Sequence, residues 1–227
     1  MYYAFLDESL KSNKLFTSSV VVPQGRYNDA VKLAKFQSVK NRLEEIDKFL
    51  ERVSGLAVIC QLDLDKKWLT QKNEDSCTDI RRMSRRDNVW SWAITYALEF
   101  GMIELEKKGH IISTVDVFHD PKTLTDDHKK ALHSLMKKDL INIFRRGLRP
   151  SGKAKGLWKT SIRRIESVPK ASRDKPDKFQ RGVWLADQIV RCVKATTHEK
   201  VTRNVSLRNI TQYILNTVER WEKGDLI

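Results

Sequence analysis

Cysteine, proline and glycine are scarce in this chain of 227 residues, at three, five and nine. Cys60, Cys77 and Cys192 are odd in number and lack CxxC spacing, so they suggest neither a disulfide framework nor a structural zinc site. A reducing compartment is expected, most simply the cytoplasm. With no run of proline, glycine and serine there is no linker to divide the chain, and no internal repeat is visible. One domain spanning residues 1–227, with a substantial core, is the expectation. Long apolar runs are missing too: none approaches the roughly 20 residues of a membrane-spanning helix. The N-terminus lacks the basic-then-apolar order of a secretion signal, and no membrane association is expected.

Acidic residues are nearly absent from one segment. Residues 129–175 hold fifteen Lys/Arg against three Asp/Glu, whereas residues 1–128 hold 19 against 20. Most of the net charge of +14 is therefore local. A concentrated positive field suits a polyanion, foremost nucleic acid and secondarily an anionic membrane surface. Lysines on solvated helix faces that merely aid solubility are the plainer reading. The candidate phosphate contacts are Lys129, Lys130, Lys137, Lys138, Arg145, Arg146, Arg149, Lys153 and Lys155.

What the chain does have begins at residue 1. Met1-Tyr2-Tyr3-Ala4-Phe5-Leu6-Asp7-Glu8-Ser9 is an apolar run that stops on two carboxylates, the pattern of a central strand buried on both faces. Alternation puts Tyr3, Phe5 and Asp7 on one face and Ala4, Leu6 and Glu8 on the other. A carboxylate at the end of such a strand is costly to desolvate without a cation or hydrogen-bond donors, which makes Asp7 a candidate metal ligand. A turn-opening or helix-capping role for Asp7 is the alternative.

A short polar turn leads to Leu15–Val22, a second strand stopped by Pro23 and Gly25 and paired antiparallel with the first. Arg26 to Val53 reads as an amphipathic helix, Leu56 to Leu62 as a third strand, and Thr78 to Lys108 as a long helix closed by Gly109. Asp63 and Asp65 read as strand-end surface residues. His110 to Asp120 is a fourth strand ending on an acid, with Asp116, Phe118 and Asp120 on one face. Thr125 caps a helix to Arg146, and Trp158 to Val168 is a fifth strand. Phe179 to Val193 is a helix apolar almost all round, interrupted by Asp187, for which a buried salt bridge competes with a metal as the explanation. Leu207 to Trp221 reads as a last helix.

This order of elements resembles the ribonuclease H-like fold: a mixed five-stranded sheet flanked by helices, here with an inserted helix between strands 2 and 3 and an extra C-terminal helix. The chain also resembles a bacterial and phage family known as domain of unknown function 3800. That family opens on a strand followed by Asp-Glu-Ser-Gly, carries a strand-end acid midway and closes on a helix of the type Gly-x-x-Leu-Ala-Asp. The matching residues are Phe5-Leu6-Asp7-Glu8-Ser9, Phe118-His119-Asp120 and Gly182-Val183-Trp184-Leu185-Ala186-Asp187; Leu10 departs from the family's glycine.

The resemblance implies a metal-dependent nuclease. Phosphodiester hydrolysis by a two-metal site between Asp7, Asp120 and Asp187 is the expectation, one ion activating a water and the other stabilising the leaving oxygen, with Mg²⁺ or Mn²⁺ as the hard cations carboxylates prefer. Glu8 is a candidate fourth ligand or supporting group, although alternation turns it away from Asp7, and Asp116 is its reserve. The competing class is a nucleic-acid-binding or partner-binding protein on the same fold that never cuts. A phosphatase or nucleotide hydrolase would share the metals without needing the basic segment. The choice of RNA, DNA or hybrid and the oligomeric state are not written in these residues.

Overall fold

The computed structural model of the protein describes residues 1–11, 14–31, 42–63, 85–121, 160–168, 176–195 and 207–215. The first strand, β1 (Tyr2–Lys11), pairs antiparallel with β2 (Lys14–Pro23), setting Phe5 opposite Val20 and Asp7 opposite Ser18. β2 pairs antiparallel with β3 (Leu56–Asp63). On the far side of β1 come β4 (Thr114–His119), parallel to it, and β5 (Ser161–Ser167), parallel to β4. An antiparallel meander continued past its first strand by two parallel ones is the ribonuclease H-like arrangement expected from the element order.

The sheet has six strands, however, not five. Its order is β5-β4-β1-β2-β3-β6, with β6 (Ile210–Leu215) parallel to β3. The C-terminal helix expected over Leu207–Trp221 is thereby corrected, since Ile210 to Leu215 is extended. Spacing was ambiguous in so short an apolar run. The β-branched and aromatic residues Ile210, Thr211, Tyr213 and Ile214 suit a strand, and the open edge of β3 offers backbone groups that need partners.

Helices cover both faces. Where one inserted helix was expected over Arg26–Val53, α1 (Gln24–Ala30) and α2 (Arg42–Val53) flank residues outside those described. α2 lies on one face with α4 (Lys178–Ala195), over Tyr3, Phe5, Val20, Val22, Ile59 and Phe118. The other face carries α3 (Arg85–Lys107), over Ala4, Leu6, Leu15, Val21, Val58 and Leu62.

Polar residues inside β2 fasten the layers. Thr17 Oγ1 donates to the Ala93 carbonyl at 3.0 Å and Ser19 Oγ to the Ala97 carbonyl at 2.5 Å, while Ser18, facing the other way, donates to the Ala186 carbonyl at 3.0 Å. Two residues of strand advance about 6.6 Å and four of helix about 6.0 Å, so alternate β2 hydroxyls meet successive turns of α3. Gly101 continues the series. A Cβ there would crowd Ser19 Oγ and Val21, so α3 lies close against the strand.

Candidate active site

β1 and β4 run side by side from Tyr2 opposite Val115 to Leu6 opposite His119. One step further in that register stand Asp7 and Asp120, at the carboxyl ends of the parallel pairing. β1 itself does not end at Asp7, as the sequence suggested, but continues to Lys11 against β2. Asp7 is therefore held by a strand on its β2 side and is only 5% exposed.

The third acid arrives on α4. Gly182 faces Phe5, and a Cβ at Gly182 would fall inside the van der Waals envelope of three atoms of that buried ring. One turn on, the Ala186 carbonyl accepts the hydrogen bond from Ser18, the residue paired with Asp7. Two small residues thus let the helix backbone lie on the sheet, and the next side chain is Asp187.

The electrostatics register this convergence. Burial, then repulsion from Glu8, Asp187 and Asp120, pushes the Asp7 carboxyl up to about 8, against a smaller opposing effect from the Glu8 backbone N–H, which donates to it. Glu8 thus acts on Asp7 although alternation turns it towards the α3 side. Asp187 is a quarter exposed and engaged: Arg191 Nε donates to its Oδ1 at 2.7 Å and Gln188 Nε2 to its Oδ2 at 3.0 Å. Gln188 in turn accepts a hydrogen bond from Arg42 of α2 through its Oε1. The Arg191 guanidinium, 68% exposed, also feels the charge of Asp7.

The donor set is chemically suited to Mg²⁺ or Mn²⁺, being carboxylate oxygens that repel one another and disfavour ionisation of the most buried member. Among the described residues no group of three or more His, Cys, Asp or Glu stands close enough together to hold an ion in its present conformation. Arg191 supplies at Asp187 the positive charge that a cation would supply.

Asp116 is not available as the reserve acid. It is fully buried, yet Arg163 Nε donates to its Oδ1 at 2.8 Å, Arg163 Nη2 bonds its Oδ2, and Arg164 Nε donates to the same Oδ2 at 3.1 Å. Hydrogen bonds from Arg163, with the charges of both arginines, hold the carboxyl below its usual range against the opposing effect of burial. Two arginines neutralise it. His119 is buried, its Nδ1 hydrogen-bonded to the Asp120 carbonyl at 3.0 Å.

Sequence reasoning passed over Ser18, Arg42, Gln188 and Arg191. Arg191 had a signal, being four residues beyond Asp187 on the same helix face; Ser18 had a weaker one as a hydroxyl in an apolar strand. Glu99 was also missed, although it lies three residues after Tyr96 in the apolar stripe of α3. It is 4% exposed, and burial pushes its carboxyl up to about 8. Because the folded state favours protonated Glu99, this stability contribution is complete below the ordinary carboxylate range and lost as pH rises through about 8. Thermal melts in EDTA at pH 5 and pH 9 should therefore show Glu99→Gln equal to wild type in acid and more stable in base, by on the order of 1–3 kcal/mol. Equal melting of the two proteins at pH 9 would mean that Glu99 finds a compensating partner.

Lys129, Lys130, Lys137, Lys138, Arg145, Arg146, Arg149, Lys153 and Lys155 lie outside the described residues, as does the helix expected to begin at Thr125. No helix among the described residues is long and apolar enough to cross a membrane.

No family model matches the chain, and no curated protein matches it. Solved structures similar to it include the ribonuclease H2 from Pyrococcus horikoshii OT3, at 15% identity and a TM-score of 0.46, covering 99% of this chain and 85% of that one. Another is the structure of the PCNA:RNase HII complex from Archaeoglobus fulgidus, at 14% identity and a TM-score of 0.41, covering 99% of this chain and 89% of that one. At so low an identity and score the fold assignment rests on the strand order rather than on either neighbour.

Proposed function

We propose that the protein is a divalent-metal-dependent nuclease of the ribonuclease H-like class, hydrolysing phosphodiester bonds of RNA or DNA at Asp7, Asp120 and Asp187. One observation carries the reading: Asp7 and Asp120 follow directly on the last paired residues of β1 and β4, and Ser18, opposite Asp7, bonds the carbonyl of the residue before Asp187. The resemblance to the domain of unknown function 3800 family, through the same three acids, points the same way.

Mg²⁺ or Mn²⁺ bound there would activate a water and stabilise the charge of the departing oxygen. The chain's own residues set the conditions. Ser18 and Gly182 fix the height of Asp187 over the sheet, Gln188 orients its Oδ2, and Glu8 adds negative charge beside Asp7. Arg191, on an exposed side chain, neutralises Asp187 as the structure stands and would have to release it to a bound cation. The basic residues of 129–155 hold the nucleic-acid backbone, giving affinity that is salt-sensitive and largely independent of sequence.

A binding protein that never cuts is the second reading, favoured by the ion pair that already occupies Asp187. Labelled single-stranded RNA, DNA and hybrid duplex, incubated with the protein and Mn²⁺, Mg²⁺ or EDTA, separate the two. Cleavage with metal and none with EDTA is the expected result. Tight, salt-sensitive binding without any cleavage would establish the second reading.

A further inference from the structure

We propose that Arg163, Arg164 and Lys178 form a distinct phosphate-binding platform that grips the nucleic-acid backbone more than one phosphate away from the carboxylates. The identity of the ligand rests on the nucleic-acid reading above; the platform itself rests on a different part of the sheet.

β5 is an edge strand of the sheet, and its pairing with β4 is irregular. Ile162 lies opposite Val115 and Arg164 opposite Asp116, so Arg163 is an extra residue between them. In a regular strand Arg163 and Arg164 would point to opposite faces. The bulge brings both guanidinium groups to the one carboxylate of Asp116. The two arginines thus face two carboxylates, Asp116 and Glu166, and a further cation beside them leaves the cluster net positive. Glu166, on an exposed side chain, takes one further contact from Arg164 at 3.0 Å.

A third cation joins them over shared aromatic rings. The Arg164 guanidinium sits 5.0 Å from the Phe118 ring centre and 5.5 Å from that of Phe179. Lys178 Nζ sits 4.9 Å from the Phe179 ring centre, 5.6 Å from that of Tyr3 and 3.5 Å from the Tyr3 hydroxyl. Phe118 and Phe179 are themselves stacked at 4.3 Å. Two cations against one ring repel each other, and an anion bound beside them relieves that repulsion. The side chains of Arg163 and Arg164 remain 53% and 41% exposed despite their bonds to Asp116. Their stems are already ordered by that carboxylate and by the rings, so a ligand pays little further conformational entropy to engage them.

Position decides the ligand class. Asp116 pairs with Tyr3, and Asp7 lies four residues further along β1 on the same face. At ~3.3 Å per residue Asp116 is about 13 Å along the sheet from the position of Asp7, a separation of more than one backbone phosphate. A phosphodiester backbone supplies anions at such intervals; a mononucleotide does not.

The test is binding of the full chain to labelled single-stranded and duplex oligonucleotides in EDTA, by fluorescence anisotropy over a salt series. Lys178→Gln and Arg163→Gln should each weaken binding several-fold and reduce the slope of log affinity on log salt by about 1; Arg163→Gln leaves Asp116 paired to Arg164. Should Arg163→Gln fail to fold, Arg164→Gln, which leaves both Asp116 oxygens bonded to Arg163, must show the same loss. Folded variants that bind with unchanged affinity and slope overturn the platform, even if the wild type cuts with Mn²⁺, in which case the hydrolase reading survives alone. Weakened variants of a wild type that never cuts support the platform and sink the hydrolase reading. Wild type that binds poly-glutamate and no oligonucleotide overturns it in favour of an acidic protein partner.

Discussion

Asp7→Asn is expected to abolish metal-dependent cleavage while making the metal-free protein more stable above neutral pH. The two effects have opposite signs because they come from one cause. Burial and the charges of Glu8, Asp187 and Asp120 disfavour ionised Asp7, which titrates at about 8. The stability this group contributes is complete below the ordinary carboxylate range and is lost as pH rises through about 8. Asparagine removes that loss. It also removes an anionic metal ligand, and the several kcal/mol of transition-state stabilisation a bound metal supplies corresponds to roughly 10³-fold or more in rate. Adding Mn²⁺ at 100 times its dissociation constant should stabilise the wild type by about 2.7 kcal/mol and the variant by much less. Melting curves in EDTA and in Mn²⁺, beside single-turnover cleavage, read all three quantities. A variant that melts below wild type in EDTA at pH 9 would make Asp7 a structural residue and remove the ground for a metal there.

Gly182→Ala gives the second large effect, and its sign is diagnostic. Helix propensity alone favours alanine over glycine by about 1 kcal/mol in a helix interior. Against this stands the Phe5 ring, fully buried and in contact with the rings of Tyr3, Tyr27 and Phe118. A ring boxed in this way cannot yield, so α4 must lift from β1, losing the Ser18 contact to Ala186 and carrying Asp187 away from Asp7. Overpacking of a tight core costs about 1–3 kcal/mol, occasionally more. The net expectation is a loss of up to about 2 kcal/mol in urea denaturation, with cleavage falling further than the folded fraction explains. Adding Phe5→Leu to Gly182→Ala should restore part of both. A variant as stable as wild type would mean that the helix is not held against the strand as described.

Both results bear on why Asp187 interrupts so apolar a helix. Tertiary contact with a sheet on one side forces small residues at Gly182 and Ala186, while the acid that follows is near enough to Asp7 for its charge to be felt there. Arg191 compensates it, as the buried salt bridge weighed for Asp187 from sequence would, but from an exposed position. An ion pair of this kind with a two-thirds exposed arginine is worth little in itself, which is why it can give way to a cation.

The sequence by itself determined most of the central elements and their buried faces. An apolar run ending in Asp7 and Glu8, a strand over Val115–His119 and an apolar helix around Asp187 follow from hydrophobic period and length, which local steric preference and burial enforce within a dozen residues. The hairpin of β1 and β2 was equally legible, since a short polar connection between two apolar strands leaves little choice but antiparallel pairing. What only the tertiary structure decided are relations between residues far apart in the chain. That Asp116 is neutralised depended on a bulge in β5 that turned two arginines onto it. Extension of Ile210–Leu215 depended on the open edge of β3, because an unsatisfied row of backbone groups outweighs a weak helical period. That Asp7, Asp120 and Asp187 act on one another depended on strand register and on how closely α4 approaches Phe5, and both are fixed by packing between elements rather than by any residue's own preference.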